Sequence, residues 1–271
     1  MYKRQFEDGR EQEIAYFRTS EKPFTVALLI DTSPSTAYSI KQIRQAAKAF
    51  VRQLKPQDKV LVMEFDGDPQ VLTETTTDRQ KINKGIDNAD FGSGTALYDA
   101  VDFALNKRLN KIPGRKAIVL FTDGVDTVSR RTFQSTLRDA EESESIIFPI
   151  YYNTFFRNRG GGRVLGSPRS RRGRRPRNTG SGTSAEEYAV GRAYLKELSQ
   201  STGGRVFRPQ QEGGLTRAFE NIAEELRRQY QVAYYPDREG KKGDRKKIKV
   251  RVYRPKLTIR ARDNYIVGAN K

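Results

Sequence analysis

The chain has 271 residues, carries 51 Lys and Arg against 33 Asp and Glu for a formal charge of +18, and contains neither histidine nor cysteine. That composition excludes His-based triads, thiol nucleophiles, iron–sulfur clusters and the usual structural zinc sites, so any metal must be held by oxygen. The length suffices for one large domain with additions, and no apolar run reaches the length of a membrane-spanning helix.

The charge is unevenly placed. Residues 157–177 hold nine arginines and no acid, residues 238–262 hold twelve basic residues against Glu239 and Asp244, and the remainder is nearly neutral. A partner for the basic regions would therefore be local as well.

Residues 1–5, MYKRQ, are what a GTG start followed by a transposase-adapter end sequence would encode. They are expected to be a read-through scar, with the natural chain beginning further upstream. Residues 6–17 predict two short strands around the turn Asp8-Gly9, the last piece of an upstream β module spanning 1–22. A buried strand follows at 23–31, then a helix from Ser35 that Pro56 stops. Strands are predicted at 59–65 and, as an edge, at 70–76, and Thr77-Asp78 caps a short helix carrying Ile82 and Ile86. The Gly-rich stretch 91–105 runs from a loop into a helix. A strand over 116–124 ends in Asp123-Gly124. Ser129 is expected to cap a helix bearing Phe133 and Leu137. After a strand at 145–152, a helix runs from Ser184 to Gly203-Gly204, then a short strand at 205–207 and a helix over 212–229.

Strands alternating with helices at this spacing predict an α/β fold with a doubly wound, mostly parallel sheet. Two segments break the rhythm. Residues 157–183 are Gly, Ser, Pro and Arg with almost nothing to bury, and are expected to be disordered. Residues 231–262 alternate with period two, predicting an antiparallel β extension over 230–271. Ile248, Val250, Val252, Leu257, Ile259 and Ala261 would lie on one face, and Lys247, Lys249, Arg251, Arg260 and Arg262 on the other.

The strand 23–31 ends in Asp31-Thr-Ser33-Pro-Ser35. The carboxyl end of a strand in an open α/β sheet is where such folds bind ligands. Thr95 in the Gly-rich loop and Asp123 at another strand end lie at the same edge. Two carboxylates and three hydroxyls are hard oxygen donors suited to Mg²⁺, Mn²⁺ or Ca²⁺.

These residues resemble the metal-ion-dependent adhesion site (MIDAS) of von Willebrand factor type A (VWA) domains: D-x-S-x-S at 31–35, the loop threonine at Thr95, and T-D-G at Thr122-Asp123-Gly124. The resemblance covers about residues 23–229. T-G-G-R-x-F at 202–207, Q-Y-x-x-x-Y-Y-P at 229–236 and E-D-G-x-x-Q-x-I at the N-terminus are similar to a bacterial, acidobacterial-type subgroup whose members are often exported. The Arg-rich insertion departs from the family pattern. The resemblance implies a Rossmann-like VWA fold and a divalent cation held by Asp31, Ser33, Ser35, Thr95 and Asp123, some through water. Its open position would take a carboxylate of a partner protein, in an exported or envelope-associated setting, with a cytoplasmic one as the alternative.

Three functions follow. The leading one is a non-enzymatic, metal-dependent protein-binding module. The second is binding of a polyanion or RNA through the Arg-rich insertion and the basic strand face. The third, a metal-assisted hydrolase, lacks a phosphate-binding loop and a histidine base.

Overall fold

Residues 24–31 are apolar on both sides because both faces of their strand are covered. β4 (Phe24–Asp31) is buried along its whole length. Val26, Leu28 and Ile30 enter one core layer, and Ala27 and Leu29 enter the other. The computed structural model describes residues 3–20, 22–152, 184–209, 214–253 and 257–268. The expected disorder of 157–183 and the aromatic pair Phe155 and Phe156 lie outside these residues.

Three short strands precede β4: β1 (Lys3–Glu7), β2 (Arg10–Gln12) and β3 (Ile14–Thr19). After β4 come a 3₁₀ turn at Pro34–Ser39, α1 (Ile40–Gln53), β5 (Lys59–Phe65), β6 (Pro69–Thr76) and α2 (Arg79–Asn88). Then follow α3 (Leu97–Asp102), which runs into a π-helical stretch Phe103–Leu109, β7 (Arg115–Thr122), α4 (Phe133–Glu142) and β8 (Ser145–Tyr151). The chain closes with α5 (Ala185–Ser201), α6 (Gly214–Arg227), β9 (Tyr230–Tyr234), β10 (Arg245–Val252) and β11 (Asn264–Ile266).

The central sheet has the order β6-β5-β4-β7-β8. β4 is parallel to β5 and β7, β7 is parallel to β8, and β6 alone runs antiparallel at its edge. The chain steps from β4 to β5 and β6 on one side and then crosses to β7 on the other. The carboxyl ends of β4 and β7 thus form the switch-point crevice. Phe50 of α1 and Phe219 of α6 lie 5.4 Å apart, ring to ring, over one sheet face. Leu97, Val101, Tyr194 and Leu198 from α3 and α5 cover the other. Asp78 caps α2 and Ser184 caps α5, as their positions before the helical periods predict.

Two local expectations are corrected. Thr132, not Ser129, caps α4, through a reciprocal capping box with Ser135. Ser129 is engaged elsewhere: its hydroxyl donates to Asp126 and accepts from the Asp99 amide. Residues 257–262 form no strand. Leu257 and Ile259 are exposed, and the return strand is β11, paired antiparallel with β10. Arg262 leaves the expected solvated basic face, because its guanidinium bonds the Ser143 carbonyl, and Arg260 lies 3.5 Å from Glu225.

The two ends of the chain share sheets. β1 pairs with both β2 and β10, giving the order β11-β10-β1-β2, and β3 pairs with β9. The α/β body is thereby held between a β3–β9 ribbon that leads in and out of it. Glu7, buried on β1, accepts from Tyr234 (2.7 Å) and Tyr265 (2.8 Å), tying the first strand to the last two segments. Removing that carboxylate would leave two hydroxyls without their acceptor. Glu7→Ala is expected to cost about 1–3 kcal/mol in urea unfolding. Amide exchange should accelerate in β10 while β4 stays protected.

Candidate metal centre

β4 delivers Asp31 to the sheet edge, and the parallel register with β7 sets Ile30 against Phe121, bringing Thr122 beside it. The Asp31 carboxylate is fully buried. One oxygen accepts from the Ser33 amide at 3.0 Å and the other from the Thr122 hydroxyl at 2.7 Å. The turn after it is locked by Thr36, whose hydroxyl donates to the Asp31 and Ser33 carbonyls, both at 2.8 Å. That lock holds Ser33 and Ser35 on the same side, with their hydroxyl oxygens 3.1 Å apart.

Ser35 then donates to Asp123 Oδ2 at 2.7 Å. The other oxygen of Asp123 accepts from the Val125 amide at 3.2 Å. Four of the five sequence-predicted residues are therefore joined through a continuous chain of hydrogen bonds. Thr95 stands on the adjacent loop, nearly buried. That loop is tied to the first by the Gly92 amide on the Thr32 carbonyl (3.3 Å), and to the third by the Thr127 amide on the Thr95 carbonyl (2.9 Å). Gly92 cannot carry a side chain, since a Cβ there would fall 1.2 Å from an Asp66 carboxylate oxygen.

Asp66, Asp68, Asp99 and Asp126 lie around the same loops, where the sequence suggests helix capping or exposure. Asp126 accepts from the Tyr98 amide at the start of α3, and Asp99 accepts from the Arg130 and Arg131 amides. Both are structural.

One residue at the centre escapes sequence reasoning. Tyr188 on α5, almost wholly buried, points its hydroxyl at Asp123 Oδ2 across 3.4 Å. A glycine one turn on is the only local sign of it. Gly191 lets α5 sit against the Asp123 loop, because a Cβ there would lie 2.2 Å from the Gly124 carbonyl oxygen. An isolated glycine inside a helical pattern often marks such an approach.

Burial, and next the charge of Asp123, push the Asp31 carboxyl up to about 7. The electrostatics fit a cation: two buried acids raise each other's cost, three hydroxyls add donors without charge, and a divalent ion among them would relieve the repulsion. Among the described residues no three acidic side chains converge as a metal cluster, so the ligand set is poor in charge.

The comparisons bear on the fold that carries these residues. Residues 26–125 match the family model of the von Willebrand factor type A domain. An uncharacterised protein of Borreliella burgdorferi is 29% identical over 109 residues, 37% of this chain and 32% of that protein, so the chain spans about a third of that relative's length. The von Willebrand factor domain of the type V pili tip protein Mfa5 from Porphyromonas gingivalis superposes with a TM-score of 0.55 at 14% identity, covering 77% of this chain and 96% of that one. An aerotolerance-related membrane protein of Bacteroides fragilis gives 0.54 at 18% identity, over 76% of this chain and 98% of that one. A von Willebrand factor type A protein of Catenulispora acidiphila gives 0.53 at 14% identity, over 78% of this chain and 44% of that one. The chain contains a von Willebrand factor type A domain with the Rossmann-like fold of that family.

The raised Asp31 value has a sign that can be measured. Between the ordinary carboxyl range and about 7 the folded protein without metal holds a proton that the unfolded chain has released. Stability without metal should therefore fall as pH rises through that window, by up to about 1.4 kcal/mol per unit. Asp31→Asn should flatten the dependence in chemical unfolding measured in EDTA. A slope unchanged by that substitution would assign the titration to another group.

Proposed function

We propose that the von Willebrand factor type A domain of this chain is a non-enzymatic module that binds a partner protein through a divalent cation, Mg²⁺ or Mn²⁺ with Ca²⁺ also admissible. Asp31, Ser33, Ser35, Thr95 and Asp123 would hold it. The observation that carries this is the convergence of two buried carboxylates and the Ser33–Ser35 hydroxyl pair at the carboxyl ends of β4 and β7. When bound, the cation supplies a Lewis-acidic position for an Asp or Glu of the partner.

The chain's own residues set the terms of that exchange. Thr122 and the Ser33 amide hold the Asp31 carboxylate in place. The Val125 amide and Ser35 do the same for Asp123. With only two acids, each already accepting hydrogen bonds, and the remaining donors neutral, the bound cation would be at most just neutralised and could take a further carboxylate from a partner. Ser35 is the most open of the four joined residues, so the partner would approach over it.

Against a hydrolase, the described site presents no group placed to serve as a general base other than the two engaged carboxylates. The pilus-tip and membrane-protein relatives support a place in the cell envelope or outside it. Among the described residues no helix is long and apolar enough to cross a membrane. The alternative of polyanion binding through the Arg-rich insertion falls on residues outside the described structure.

Asp31→Ala with Asp123→Ala should abolish Mn²⁺ binding in calorimetry while circular dichroism keeps the native signal, and retained binding would reject the site. Partner protein captured from the native source should be released by EDTA and lost in Thr95→Ala. Capture that persists in EDTA, with the metal shown to be gone, would reject adhesion through the cation.

A further inference from the structure

The sheet β11-β10-β1-β2 presents unlike faces. On one, Gln5, Glu7 and Gln12 are buried beneath β9 and the C-terminal segment. The other carries the odd-numbered residues of β10 and the even-numbered ones of β1, since side chains alternate along a strand. At the β11 edge this second face leans on α4 through the ion pair of Arg245 with Glu141. Over β1 and the middle of β10 it is open, with Arg4, Lys247, Lys249 and Arg251 exposed.

The register places Arg4 directly across from Arg251. Like charges in that position destabilise a sheet. Glu11 meets Arg4 at 3.2 Å, whereas Lys249 and Arg251 meet no carboxylate among the described residues. Both guanidinium groups are nonetheless held over rings. Arg251 lies over Phe6 at 5.1 Å and Arg4 over Tyr253 at 5.4 Å. Stacking of this kind pre-orients the planar fork, which matches phosphate oxygens in pairs. Along β10, Lys247, Lys249 and Arg251 recur every two residues, about 6.8 Å apart.

We propose that this face binds the phosphodiester backbone of a single-stranded nucleic acid. A row of cations at regular spacing suits a linear chain bearing one anion per unit. The pre-oriented arginines suit phosphate, and Tyr253, 57% exposed, adds an aromatic surface at the end of the row where a base can stack. A base can stack on that ring only when it is unpaired and splayed from a duplex, which favours a single strand. The cation site is at the other pole. The β module touches Glu141 in the last turn of α4, Ser143 just after it, Gly203 after α5 and Glu225 near the end of α6. Those helix ends lie at the amino edge of the parallel sheet, opposite Asp31 and Asp123. The two activities are therefore separable, and this one does not depend on the metal.

The test is a fluorescence-anisotropy titration of the full chain with a labelled oligodeoxythymidylate of about 20 nucleotides, at salt from about 50 to 200 mM and with EDTA present. The intact chain should bind with salt-dependent affinity. Lys249→Gln with Arg251→Gln should weaken binding at least about tenfold and lower the log–log salt slope by about 1.4, at about 0.7 per lost contact. Because Arg251 faces Arg4 across the sheet, its replacement relieves a repulsion, and the thermal midpoint should stay level or rise. Lys249→Gln alone, which disturbs no ring contact among the described residues, should lower the slope by about 0.7 and guards against a folding defect in the pair. An unchanged slope in both variants would place the binding elsewhere on the chain and overturn the proposal. Loss of binding in EDTA would overturn it too. So would displacement of the labelled strand by heparin or by phosphatidylglycerol vesicles at lower concentrations than by unlabelled strand, which would favour a sulfated glycan or a membrane.

Discussion

Two carboxylates, Asp31 and Asp123, are buried within each other's field, and much of the surrounding structure answers to that fact. Neither can be moved apart. Asp31 is fixed by the parallel register of β4 on β7, and Asp123 by the loop that leaves β7. Their repulsion, added to burial, is what lifts the Asp31 carboxyl so far above the usual carboxylate range. An arrangement that costs stability when left alone is common where a ligand is meant to complete it. The neighbouring hydroxyls fit that interpretation, since they crowd the acids without neutralising them.

Holding this pair requires both layers of the fold. The α1–α6 layer packs on Val26, Leu28 and Ile30 and keeps β4 straight to its end. The α3–α5 layer packs on Ala27 and Leu29 and brings Tyr188 onto Asp123. Gly191 and Gly124 make the second contact close enough, at the expense of a side chain in each. The three loops are then stitched by backbone hydrogen bonds through Thr32, Gly92, Thr95 and Thr127, which cost no side-chain entropy.

At the other pole the constraint is topological. The strands that precede the α/β body have no core of their own, and neither do those that follow it. They become stable by pairing with each other across more than two hundred residues of sequence, as Arg4 does with Arg251. Arg115 reinforces the junction, bonding the Lys22 carbonyl at 2.6 Å and the Leu226 carbonyl at the end of α6. Entry to and exit from the body are thus pinned at one point.

The alternation of buried strands with amphipathic helices, and with it the fold class, was legible in the sequence because each period is set by a local geometry of two or 3.6 residues. So was the meeting of Asp31, Ser33, Ser35 and Asp123, with Thr95 on the neighbouring loop, since strand ends in a parallel sheet bring such loops to one edge. Helix caps were legible where one polar residue stood alone before the period, as at Asp78 and Ser184. The cap was missed where Ser129 and Thr132 competed, and the choice fell to the Asp99 amide of α3 and to Asp126 in the same loop, which together claim the Ser129 hydroxyl. Leu257, Ile259 and Ala261 alternate as a strand would, yet remain outside any sheet. Alternation supplies a face but no partner, and β11 occupies the edge of β10 instead. Tyr188 had only the glycine one turn on, Gly191, as a local sign, and the pairing of the two chain ends had none. Sequence patterning determines what each segment buries, whereas contacts between segments far apart in the chain are decided only when the whole core closes and fixes their distance.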